Sequence, residues 1–423
     1  MTLDTAGSGP FLECVMNSPG SGCIEDCVVW LGPELEPTHC RSFRWEDGRI
    51  IEIQAGAPAT RVDGARCGIF PGLVNAHTHI GDGFLPEAAI PLTLEEAFFR
   101  PDGYKYRALK EISAEEHIAH MAEFQRGMAA SGTVAHIDFR EQGAEGARRL
   151  REASMLTGVR SVILSQFDQS PQGEDDLENV TRSLPAAAVR ELEEILTIAD
   201  GFSESTMNDL TDAAWREVET ITRTHQRARA VHCLENAGYR DLSHRRNGSG
   251  DLERAITLLH PDLIIHMTVA NDDEIARLAA SGISVVLNPR ANAALGLPLP
   301  PVAALMRAGA NILLGTDNGM LNGPDLFREM DFIYRLARSQ TGDGRHPKPR
   351  EILKMATANL GRTRWGAELP GTLTVGGPAT FAVVDLTRHH FQQSRELTGT
   401  LVTRTSPCDI TKTVLHGNVL HAF

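Results

Sequence analysis

At 423 residues, the chain is too long for one small domain and ample for a large hydrophobic core. Its 42% hydrophobic and 23% charged residues read as an ordinary soluble globular protein. A net charge of −14 without any Lys/Arg block argues against nucleic acid and anionic membrane as partners, and no apolar run approaches a membrane span.

The first residues, MTLDTAGSGPFLEC, lack a basic start followed by an apolar core, so no signal peptide is expected. Seven cysteines (Cys14, Cys23, Cys27, Cys40, Cys67, Cys233, Cys408) are an odd number at irregular spacing. That usage suits a reducing cytoplasm better than a disulfide framework. Cys23 and Cys27 have the spacing of a metal pair, but no second pair follows, and plain thiols are the expectation. CVVWLG, CRSFRW and RIIEIQAG then read as short strands, with EDGR as a turn between the last two.

A different texture follows, in which short apolar segments alternate with helical ones. The candidate strands are LVNAHTH, TVAHIDF, RSVILSQ, ILTIADG, ARAVHCLEN, LIIHMTVAN, ISVVLNP and NILLGTDNG. Ser113 and Glu116 form a capping box, and the next helix carries an apolar stripe through Ile118, Met121, Phe124 and Met128. Thr93 and Glu96 form another box. Asn271 to Glu274 opens a further helix that Gly282 ends, and Pro300 and Pro301 precede VAALMRA. Alternating strands and helices imply a parallel sheet, and eight units point to an α/β fold of the (β/α)8 TIM-barrel class. A doubly wound open sheet is the alternative. After the barrel, TFAVVDL, TGTLVTR and KTVLHGNVLHAF read as strands again. Residues 1–70 plus 368–423 are therefore expected to form a small composite β domain, with the barrel over 71–367.

In such a barrel the active site lies at the C-terminal strand ends. The first candidate strand ends in His77 and His79, which alternation puts on one face of the strand. Two neutral imidazoles aimed at one point can ligate a metal. The fifth ends in His232 and Glu235, the sixth in His266 and the eighth in Asp317. These are ligand and acid–base residue types gathered at positions that the fold argument selects.

The pieces PGLVNAHTH, HCLE, the lone His266, NPRAN and LLGTDN together resemble the amidohydrolase superfamily. The likeness is to its cytosine, guanine and S-adenosylhomocysteine deaminase branch and spans almost the whole chain. The resemblance implies that His77, His79, His232 and Asp317 are metal ligands. It implies that Glu235 is a proton shuttle and that His266 orients water or substrate. Catalytic work would then fall to Glu235, His266 and Asp317. Binuclear members bridge their metals through a carboxylated lysine after strand four, and ILTIADGFSES has no lysine. One divalent ion per chain is expected, zinc before iron, whose bound hydroxide is the nucleophile. The other zinc-deaminase plan is absent, because SPCDI lacks the second cysteine.

The implied activity is hydrolytic deamination of an amino-substituted heterocycle: a purine, a pyrimidine or a nucleoside-like compound. The alternatives are a triazine chlorohydrolase-like or cyclic amidohydrolase reaction and, last, a non-catalytic assembly protein. Arg290, Asn292 and His266 are the candidate substrate-binding residues, with Arg290 either gripping an anion or lying solvated on the surface. Phe84, Phe98 and Phe99 either stack on a ring or pack in a helix core. Asp138, Arg140 and Glu141 either line a polar pocket or pair together. The remaining expectations are a small-molecule substrate, a homo-oligomer and a cytoplasmic location.

Overall fold

The computed structural model describes residues 20–423. Cys14 and the stretch read for a signal peptide lie outside the described residues. Among those described, no helix is long and apolar enough to cross a membrane.

Sixteen strands run along the described chain: β1 Gly22–Leu31, β2 Glu36–Glu46, β3 Arg49–Pro58, β4 Cys67–Pro71, β5 Leu73–His79, β6 Thr133–Arg140, β7 Arg160–Ser165, β8 Gly201–Glu204, β9 Ala228–Cys233, β10 Leu263–His266, β11 Ser284–Leu287, β12 Ile312–Leu314, β13 Asp317–Asn318, β14 Phe381–Asp385, β15 Ile410–Leu415 and β16 Asn418–Ala422. Nine of them form one sheet in the order β12-β11-β10-β9-β8-β7-β6-β5-β13. Helices follow most of these strands, giving the expected α/β barrel architecture.

The eighth barrel strand is broken, and the break closes the sheet. Its first half, β12, pairs with β11, while its second half, β13, pairs with β5. Between them Gly315 runs so close to β5 that a Cβ there would lie 2.7 Å from the His77 Cβ and 2.5 Å from Asn288 Oδ1. Side chains replace the missing ladder bonds at this seam. The Asn75 amide donates to Thr316 Oγ1 at 2.8 Å and accepts from the Thr316 backbone at 3.0 Å.

The fourth barrel strand corrects the sequence reading. Ile195 to Ile198 is the last turn of the helix Ala186–Ile198, which buries Ala188, Leu192, Ile195 and Leu196 at helical spacing. The strand is instead Gly201–Glu204, a few residues later. A short apolar run suits either state, and here the buried face decides.

The second sheet joins both chain ends in the order β16-β15-β14-β4-β1-β2-β3. Head and tail meet where β4 pairs antiparallel with β14. Gly72 alone separates β4 from β5, so this sheet is tied directly to the barrel. Val28, Trp30, Phe70 and Leu73 belong to the same apolar core as the barrel helices. The expected tail strand TGTLVTR is instead the helix Leu397–Arg404. Its residues Leu397, Leu401 and Val402 are buried, and Thr398 accepts a hydrogen bond from Trp30 Nε1 at 3.0 Å. The Thr93 capping box forms as expected, Asn271 opens its helix with a capping box as well, and Gly282 ends that helix in the left-handed conformation. At Ser113 the Glu116 amide donates to the hydroxyl as expected, but the Glu116 carboxylate accepts from that hydroxyl instead of from the Ser113 amide.

Candidate active site

The barrel's strand ends converge on one buried cluster. His77, His79 and His232 present ring nitrogens within 4.8 Å of one another, and His77, His266 and Asp317 meet the same criterion. Strand alternation does the aiming at the first site. Thr78 points to the other side and donates to Asp138 Oδ2 at 2.9 Å, leaving both histidines on the cluster face. Backbone strain does it elsewhere. Leu234, His266, Met267 and Asp317 all have positive φ, at 54°, 79°, 58° and 67°. Left-handed non-glycine residues cost energy, and here they sit at the strand ends that carry the cluster.

The hydrogen bonds around the cluster select which ring nitrogens are open. His79 Nδ1 donates to Glu141 Oε1 at 2.8 Å, and His232 Nδ1 donates to the Glu204 carbonyl at 3.2 Å. Each then turns an unprotonated Nε2 inward, the usual arrangement behind a metal-ligating histidine. His77 is fully buried, and neither of its ring nitrogens makes a hydrogen bond. A buried imidazole with no well-formed hydrogen bond and only a carboxylate oxygen nearby is costly unless an ion takes a lone pair, so the donor set fits a divalent metal. Asp317 Oδ1 lies 3.2 Å from His77 Nε2 and 3.8 Å from His79 Nε2. His266 differs. Its Nδ1 accepts from the Asn292 amide at 3.2 Å, which puts the ring proton on Nε2, the nitrogen 3.6 Å from Glu235 Oε1.

Burial depresses the His77 pKa to about 4 and takes His232 well below the usual range, so both rings are neutral, as ligands must be. Burial alone would raise the Asp317 pKa, but His77 and then His266 and His79 outweigh it and hold the carboxyl low. Glu235 moves the other way. Burial raises its pKa against the pull of His266, which suits a group that takes and gives a proton.

Glu235 lies three residues after His232, so a regular strand would face it away from the cluster. The left-handed turn at Leu234 reverses that, and Glu235 lines the cavity with His79, His232, His266 and Asp317. Three bonds clamp the turn. The Leu234 amide donates to Asp251 Oδ2 at 2.8 Å. The Thr268 hydroxyl donates to the Leu234 and Glu235 carbonyls, at 2.9 and 2.5 Å.

Two expected substrate contacts lie outside the residues that line the cavity. Arg290 does not line the cavity, and its Nη1 pairs with buried Glu329 at 3.3 Å, because the short helix bearing Arg290 packs on the helix Leu326–Thr341. Asn292 reaches His266 and not the cavity. The wall is built from residues that the motifs did not single out: Leu94, Lys105, Tyr106, Ser205, Tyr239, Leu295 and Asn318. Phe98 and Phe99 join it, with Phe99 stacked on Tyr239 at 5.6 Å. Phe84 instead packs against His117 and His120. Arg140 pairs with both Asp138 and Glu141, so these charges satisfy one another. At the end of β8, Glu204 is fully buried and pairs with Arg100. No local pattern connects Arg100 to Glu204. The only signal for the aromatic wall was the density of aromatic residues after the Thr93 box.

Comparison with known proteins settles the family. Residues 69–420 match the amidohydrolase family. The chain belongs to that family. A relative from Methanothermobacter thermautotrophicus, provisionally named an aminohydrolase, is 31% identical over 367 residues, covering 86% of this chain and 91% of its own. The 5'-deoxyadenosine deaminase of Methanosarcina acetivorans is 28% identical, covering 89% and 86%. The crystal structure of a zinc-bound adenosine deaminase from Xanthomonas campestris shares the fold, with a TM-score of 0.76 at 21% identity over 93% of this chain and 92% of that one. This amidohydrolase is accordingly a hydrolytic enzyme acting on C–N bonds.

Proposed function

We propose that this amidohydrolase is a deaminase using one zinc ion per chain to hydrolyse an amino-substituted heterocycle of the purine, pyrimidine or nucleoside-like class, releasing ammonia. The observation that carries the reading is the placement of Glu235 beside His266 and the His/Asp cluster, at the floor of a cavity walled by aromatic rings. His77, His79, His232 and Asp317 would hold the ion, which when bound supplies the Lewis acidity that makes water a nucleophile near neutral pH. Glu235 takes a proton from the attacking water and delivers it to the leaving nitrogen. His266, proton on Nε2, orients the water or the ring atom under attack. Water adds to the ring carbon, the C–N bond breaks, and the ring keeps a carbonyl where the amine was.

A single ion is supported by the end of β8, which carries Ser203, Glu204 and Ser205 and no lysine to bridge two metals. Stacking surfaces at Phe98, Phe99, Tyr106 and Tyr239 suit a flat heterocycle. The test is ammonia release by zinc-loaded enzyme across adenosine, 5'-deoxyadenosine, guanine, cytosine and a chlorotriazine, with metal counted by elemental analysis. Ammonia with about one zinc per chain is the expected result. Chloride without ammonia would overturn the leaving group, and two ions per chain would overturn the single-metal site.

A further inference from the structure

Lys105 is the only lysine or arginine among the described residues that line the cavity. Its side chain is buried, at 3% exposure, yet it is no metal ligand and has no part in the proton transfer described above. Its ammonium donates to Glu141 Oε1 at 2.7 Å, the same oxygen that accepts from His79 Nδ1. It therefore stands two hydrogen bonds from a metal-binding ring, near the reacting centre. The rings of Phe98 and Tyr106, both in the cavity wall, flank it at 5.4 and 5.3 Å. An ammonium carries three N–H groups, and Glu141 is its one hydrogen-bond partner among the described residues. Arg140 takes the other oxygen of Glu141. Burial would discharge Lys105, but the charges of Glu141, Tyr106 and Asp82 and the bond to Glu141 together outweigh burial and keep it protonated. A buried, charged group with spare donors on a cavity calls for an acceptor on whatever enters.

We propose that Lys105 anchors the substrate through an oxygen acceptor, a carbonyl or a carboxylate, and so selects amines that carry such an oxygen. This rests on the deaminase reading. Its position close to His79 favours a ring carbonyl over an oxygen on a long substituent.

The experiment compares kcat and KM for guanine and cytosine (ring carbonyl), S-adenosylhomocysteine (carboxylate on a tail) and 5'-deoxyadenosine (neither), using zinc-loaded wild type, Lys105→Met and Lys105→Gln. In wild type an oxygen-bearing compound should be preferred, and the ring-carbonyl and carboxylate arms tell which oxygen is read. Lys105→Met should raise KM for that compound at least tenfold and move 5'-deoxyadenosine less than threefold, with zinc content unchanged. Should Lys105→Met fail to fold, Lys105→Gln, which keeps a donor for Glu141 but is shorter and uncharged, is expected to show a smaller loss confined to the same compound. A preference for 5'-deoxyadenosine in wild type would overturn the proposal. So would an equal loss on every compound with falling zinc content, which would make Lys105 a support for Glu141 and His79. No ammonia from any compound in wild type would instead refute the deaminase reading itself.

Discussion

Thr268→Val isolates the clamp that turns Glu235 toward the cluster. Valine keeps the shape and removes the hydroxyl that donates to the Leu234 and Glu235 carbonyls. The Leu234 carbonyl keeps a second donor, the Val269 amide at 3.2 Å, and Asp251 still holds the Leu234 amide. The Glu235 carbonyl loses its partner in a buried setting, which costs about 1 to 3 kcal/mol. If that cost falls on the alignment of Glu235 in the transition state, kcat drops about five- to a hundredfold, at about 1.4 kcal/mol per tenfold. KM and zinc content should hardly change, because no ligand or cavity side chain is altered. Thr268→Ser, which restores the hydroxyl, should recover most of the rate. Steady-state ammonia release beside elemental analysis and a melting curve separates the outcomes. A lowered Tm with unchanged kcat would refute the positioning argument and leave Thr268 a purely structural residue.

Glu235→Gln should retain zinc and fold while losing roughly a hundred- to ten-thousand-fold in kcat, since an amide cannot carry the proton. Loss of the metal would make Glu235 a ligand. His136 is fully buried among Thr78, Gln125 and Ser161, and burial lowers its pKa from 6.5 to about 4. The folded state then binds fewer protons than the unfolded chain in that window. Stability is full above pH 6.5 and falls by about 3 kcal/mol as pH drops to 4. Urea midpoints should track this fall and do so less steeply in His136→Gln; parallel curves would refute the assignment. Arg290→Ala should lower stability by about 1 kcal/mol and leave KM alone, because it removes the guanidinium from buried Glu329, which keeps only the Arg290 backbone amide and whose pKa burial pushes up to about 8. A raised KM with unchanged Tm would return Arg290 to the substrate.

Much of this protein was legible in its amino-acid order. The period-two spacing of His77 and His79, the end positions of His232, His266 and Asp317, and the strand–helix alternation all follow from short-range geometry. A strand sets the direction of its own side chains, and a capping box sets the start of its own helix. That is why the barrel, and the strand-end positions of these histidines and Asp317, could be read before any coordinates. The same geometry explains why Glu235, three residues after His232, needs a reversal such as the left-handed Leu234 to face the cluster.

The tertiary structure decided what depends on partners far along the chain. Ile195 to Ile198 and Leu397 to Arg404 have strand-like composition, yet each is helical because its buried residues fall at helical spacing against neighbouring elements. Arg290 lost its expected ligand to Glu329, 39 residues away. Arg100 reaches Glu204 across 104 residues, and Lys105 reaches Glu141 across 36. Local spacing holds no information on such pairs, because a side chain's charge is fixed by its type and its partner by the packing of whole elements. The candidate ligand residues could be placed at strand ends from the sequence, with their roles implied by the family resemblance; the walls of the cavity they share exist only once the barrel has closed.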